Sequence, residues 1–193
     1  AARWRRARCS GFFSSDFRGT RTVRRLSPVS RACAFRPGSM SDVCADVSSP
    51  PVDLASVAIG ARTPSRRAEL GRTPGVFTAI ADGLEVDAIG ASCAVAARAL
   101  ANLCADDANN AAVALRTSGL VASLVDACAR HSSTEVDDDR RFALIAASNL
   151  CASGGTLACA RLLELAAFES ALDAVATGGA DEQRAGLMLL VRI

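Results

Sequence analysis

His131 is the single histidine of the chain, and Cys128 stands three residues before it. A thiol beside an imidazole is the pair that can serve as an activated nucleophile with its base. The local pattern argues against that use. An apolar run puts Cys128 on the core side of a helix, His131 opens a polar stretch, and no third group is specified to orient the imidazole. The eight cysteines (9, 33, 44, 93, 104, 128, 151 and 159) contain no C-x-x-C pair, and one histidine with scattered thiols makes no recognisable tetrahedral zinc set. Neither G-x-x-x-x-G-K-[ST] nor G-x-G-x-x-G occurs. No enzyme, metal or cofactor is therefore expected, and a small-molecule substrate is not either. Two charged motifs remain. Arg24-Arg25-Leu26-Ser27 resembles a site for an Arg-directed kinase, which makes Ser27 a candidate phosphosite. The acidic run 135–139 precedes Arg140-Arg141, and its carboxylates suit the N-terminus of the next helix better than a metal.

The stronger signal is repetition. Asn102-Leu103-Cys104 returns 47 positions later as Asn149-Leu150-Cys151, and Leu124-Val125-Asp126-Ala127 returns as Ala171-Leu172-Asp173-Ala174. Upstream, Gly75–Asp82 matches Gly119–Asp126 at a spacing of 44. Self-similarity at this period marks a helical solenoid, whose units cannot bury their apolar faces alone. The last proline is Pro74, so 75–193 is free of the strongest helix breaker. Apolar periodicity with glycine stops predicts helices over 66–70, 76–83, 91–104, 110–117, 120–130, 139–152, 156–165 and 167–176, with another from 181. Asp82, Asp126 and Asp173 recur late in the second helix of each unit and are expected on the solvent side.

Composition agrees with many short helices in close contact. Half of the residues are apolar while aromatics make up 4%, so the core must be built from Ala, Leu, Val and Ile. The cysteines are expected as small, reduced core residues. No stretch is expected to be long and apolar enough to span a bilayer. The net charge of +2 conceals a split: residues 1–40 carry +9 and residues 41–193 carry −7. The helical part is thus acidic and poor in aromatics, which excludes specific nucleic-acid binding. Residues 1–40 form an expected disordered Arg/Ser-rich tail, read as a transit peptide, a non-native leader ahead of Met40, or a basic interaction tail. Residues 41–64 read as a Pro- and Ser-containing linker with room for a short helix over 52–59. Residues 65–193 form the helical array. The apolar stretch 187–191 lacks a polar capping face, so the array is expected to be truncated at its C-terminus.

Ala99-Leu100-Ala101-Asn102-Leu103, followed by Asn109-Asn110 and Gly119-Leu120, resembles the armadillo repeat, a three-helix unit of about 42 residues. The next unit keeps Ala146, Asn149 and Leu150, but Ala147 stands for the usual Leu and Ala166-Ala167-Phe168 replaces the Gly-led opening. The resemblance implies an all-α, right-handed α-solenoid of two to three units. It implies further that Asn102 and Asn149 line a concave groove and hydrogen-bond an extended peptide, a task that suits a carboxamide with its donor and acceptor. Bracing of neighbouring helices is the alternative role. Helix periodicity adds Arg98, Ile145, Arg141 and Ala94 to the same stripe. The import receptors of the family place Trp where Arg98 and Ile145 stand, and a groove with Arg98 and Arg141 would repel basic cargo. The expected function is a non-enzymatic cytoplasmic scaffold for an acidic or mixed peptide, or an organellar one if the tail is a transit peptide. Alternatives are a dissociation or exchange stimulator of a small GTPase and the substrate-docking region of a larger ubiquitin ligase.

Overall fold

The computed structural model describes residues 51–85, 93–130 and 138–193. The tail 1–40 with Ser27, residues 41–50 of the expected linker, His131, Glu135 and Asp137 lie outside them. Among the described residues every regular element is an α-helix and none is a strand. The helices are α1 (Leu54–Gly60), α2 (Pro64–Leu70), α3 (Val76–Leu84), α4 (Cys93–Cys104), α5 (Ala108–Arg116), α6 (Leu120–Ala129), α7 (Asp139–Glu164), α8 (Ala167–Thr177) and α9 (Ala180–Leu190).

Local chemistry sets most of their limits. Asp53 caps α1 by accepting from Ala55 N and Ser56 N at 3.0 and 3.3 Å. Pro64 occupies the first turn of α2, where its missing N–H costs nothing. Asp107 caps α5 through Asn110 N at 2.9 Å. Gly75 and Gly119 enter α3 and α6 with φ of +80° and +77°, in the left-handed region that glycine reaches without strain. Ala166 enters α8 with φ +66°, so the third opening keeps this geometry although its glycine is gone.

Packing follows the repeat spacing. α1 lies on α4, α4 on α7, and α7 on α9. In parallel, α3 lies on α6 and α6 on α8, while α2 packs on α4 and α5 on α7. The core between them is aliphatic, with Ile80, Leu100, Leu103, Leu120, Leu124, Leu144, Leu150 and Leu162 sealed from solvent. Burying such a side chain stabilises by roughly 1.5–3 kcal/mol. Ala97 and Ala101 on α4, with Ala143, Ala146 and Ala147 on α7, are also buried and let these backbones approach closely.

The short helix that the sequence allows over 52–59 is α1, Leu54–Gly60, with Leu54, Val57 and Ala58 buried. The two helices expected over 139–152 and 156–165 are the two halves of α7, which meet at a kink where Gly155 takes the non-helical φ +63° and ψ −151°. Counted through this kink, α7 is long and apolar enough to cross a bilayer by length and composition, where the sequence reading expected no such stretch. It is nevertheless the central helix of the bundle, packed on α4, α5, α6 and α9 and broken at Gly155, and we read it as a core helix. Lastly, Asp82 and Asp126 are exposed as expected, whereas Asp173 pairs with the buried Arg140 at 2.6 Å.

Candidate functional site

On α4 the partly exposed positions are 94, 95, 98 and 102, and on α7 from Asp139 to Leu150 they are 139, 141, 142, 145 and 149. Each set falls on one stripe at helical spacing. Direct contacts join the two stripes. The guanidinium carbon of Arg98 lies 5.3 Å from the centroid of the Phe142 ring, and that of Arg141 lies 4.7 Å from it. Asn149 Nδ2 donates to Ala101 O at 2.9 Å. Arg98, Asn102, Arg141, Ile145 and Asn149 thus come together on one face, with Phe142 at its centre. Phe142 was not singled out from the sequence, although its place beside Arg141 and four residues after Asp138 was readable.

The carboxamides are not free along this face. Asn102 Nδ2 donates to Ala58 O on α1 at 2.7 Å, across 44 residues, and Asn149 Nδ2 repeats the bond to α4 across 48. One amide hydrogen of each side chain therefore braces the preceding helix of the row. Each Asn is only half-buried, and among the described residues no protein donor bonds its Oδ1. An acceptor and a second amide hydrogen remain for an incoming backbone.

The two arginines differ in electrostatic state. Arg141 Nη1 donates to Asp181 at 2.9 Å, and its Nη2 lies 3.1 Å from Asp138. Its charge is compensated, and the Phe142 face holds the planar group in place. Arg98 has the same ring on one side and, among the described residues, no carboxylate partner. Among the described residues Arg98 is therefore the cation of this face without a carboxylate beside it. Ile145, half-buried between Arg141 and Asn149, supplies apolar surface.

Around this face other polar side chains serve the scaffold. The last carbonyls of α4 are bonded from three helices: Asn110 Nδ2 donates to Leu103 O at 2.9 Å, Ser153 Oγ to Cys104 O at 2.6 Å, and Arg67 Nη1 to Ala105 O. These are the acceptors that a helix end leaves without partners. Arg130 Nη2 likewise donates to Leu84 O at 2.6 Å, and Arg140 Nε to Cys128 O at 3.1 Å. Sequence reading missed them, because an arginine committed to a distant helix end looks like any surface cation.

Cys104 and Cys128 are buried, and burial pushes both thiols up to about 12. Among the described residues no group of three or more His, Cys, Asp or Glu side chains is placed to hold a metal. No family model, curated protein or solved structure matches the chain.

Proposed function

We propose that this chain is a non-enzymatic interaction scaffold, a right-handed solenoid of armadillo type that holds an extended acidic or mixed peptide on the α4–α7 face. Three units fit the helices: α2 to α4, then α5 to the first half of α7, then its second half to α9. The left-handed openings at Gly75, Gly119 and Ala166 fall at spacings that match the sequence repeat, which supports this division. α1 stands in the place of a third helix from a preceding unit.

The observation that carries the functional reading is Arg98 stacked on Phe142, with no carboxylate among the described residues, between two Asn side chains that brace the row in register. The Asn oxygens and remaining amide hydrogens would take up peptide N–H and C=O groups. Arg98 would take an Asp or Glu of the peptide, and Ile145 an adjacent apolar side chain. A charge-assisted bond to a carboxylate is stronger than a neutral one, so Arg98 would set the preference for acidic residues.

A random-peptide display selection against the full chain tests this reading. Enriched sequences should be extended and carry Asp or Glu, and Arg98→Glu should abolish the enrichment while the far-ultraviolet circular dichroism stays unchanged. Enrichment of basic peptides, or of acidic ones that bind Arg98→Glu equally well, would refute it.

A further inference from the structure

Two buried positions recur in α9 as they do in α4 and α7. Ala99, Ala146 and Ala185 are buried, and Leu103, Leu150 and Leu189, four residues on, are sealed from solvent. This register puts Met188 where the earlier helices carry Asn102 and Asn149, and Arg184 where they carry Arg98 and Ile145. Two contacts show that α9 continues from the α7 stripe. Arg141 Nη1 donates to Asp181 at 2.9 Å, and Ser148 Oγ donates to Met188 O at 3.3 Å.

Arg184 and Met188 line one shallow concavity with Leu187, Val191 and Arg192, and all five side chains are exposed. An apolar cluster left in solvent and rimmed by charge marks an interaction surface. Among the described residues neither Arg184 nor Arg192 has a carboxylate within ion-pair distance. The charge decides the occupant. A second copy laid on this face, α9 against α9, would set the arginines of the two copies against one another. The tail 1–40 carries +9 and is matched no better. The complement is a segment with carboxylates beside a large apolar side chain.

We propose that α9 supplies a third row of the peptide face, where Met188, Leu187 and Val191 take a large apolar side chain of the partner and Arg184 and Arg192 take carboxylates next to it. This rests on the α4–α7 reading above and specifies the partner more closely. A thioether offers no carboxamide bond to a peptide unit, so this row selects a side chain, whereas the two Asn rows engage the backbone. Arg98 and Arg184 occupy equivalent positions two rows apart. Packed helix axes lie about 8–10 Å from one another, which puts these positions roughly 16–20 Å apart. An extended chain rises about 3.3 Å per residue, so about five to six residues span that distance. The partner is therefore an extended segment with two acidic positions at about that spacing and an apolar residue next to the second.

Selecting a random-peptide library on the full chain, followed by binding of a fluorescein-labelled consensus peptide to Arg184→Glu and Met188→Ser, tests this. Both positions are exposed, so the far-ultraviolet circular dichroism should not change. The parent chain should enrich paired acidic positions with an adjacent Leu, Ile, Phe or Met at the spacing given. Each variant should bind the consensus peptide about tenfold more weakly or worse, and Met188→Leu should retain binding. Peptides that need Arg98 yet bind both variants as they bind the parent would overturn the third row and leave the α4–α7 reading standing. No acidic enrichment at all would overturn both. A chain that sediments as a dimer, and as a monomer in Met188→Ser, would give this face to a second copy and also overturn the proposal.

Discussion

At the residue scale the repeat assigns equivalent positions, and the structure shows that equivalence of place is not equivalence of role. Asp82, Asp126 and Asp173 recur at matching sites, but only Asp173 holds a buried partner, Arg140, which also donates to Cys128 O and Ser170 O. Asp173→Ala should cost about 1–2 kcal/mol in urea unfolding. The estimate is held low because the carboxylate is 42% exposed and water screens part of the pairing. Asp82→Ala and Asp126→Ala should stay within about 0.5 kcal/mol, as exposed substitutions do. Ala166 shows the converse. From the sequence its missing glycine looked like a departure from the repeat, yet the backbone keeps the left-handed turn that Gly75 and Gly119 make. A Cβ in that region costs roughly 1–2 kcal/mol, so Ala166→Gly should raise the unfolding free energy by about 1 kcal/mol, read as a higher urea midpoint at unchanged slope. The Asn residues were legible as a pair. Their commitment to Ala58 O and Ala101 O was not, because a carboxamide that braces a helix and one that receives a peptide have the same sequence signature.

At the element scale most helices were readable from apolar periodicity and glycine stops, and those over 120–129 and 167–177 fall within a residue of expectation at each end. The short helix read over 52–59 is α1, Leu54–Gly60, seven residues that follow two prolines and carry the Asp53–Ser56 capping contact. The stop read at Gly154-Gly155 is the kink that divides α7. Gly155 sits in a region of backbone space that is essentially restricted to glycine. Gly155→Ala should therefore destabilise by roughly 1–3 kcal/mol although open space surrounds the position, whereas a purely steric cost would be nil. Thermal unfolding of the variant beside the parent chain distinguishes the two.

At the scale of the whole molecule, the described helices are alanine-rich and enclose a sealed aliphatic core. The chain has no lysine and no tyrosine, since all 22 basic residues are arginine. Between about pH 9 and 12 its side-chain titration therefore belongs to cysteine. Cys104 and Cys128 are raised by burial from 9.0 to about 12 in the folded chain, so the unfolded chain gives up these protons first. Their contribution to stability is fully present below about pH 9 and is lost as the pH climbs toward 12. The urea midpoint should fall over that window, and it should fall less in Cys104→Ala/Cys128→Ala. That the core would be helical and small-residued was legible in composition; which arginine would lack a carboxylate among the described residues was not, because it depends on Asp138 and Asp181 reaching Arg141. The proposed binding face is the claim on which the functional account rests. Hydrogen–deuterium exchange of the full chain, with and without an acidic peptide taken from the display selection, addresses it most directly. Added protection should fall within 94–105 and 138–153, on the α4 and α7 stripes. Protection confined to α3, α6 and α8, or none at saturating peptide, would contradict it.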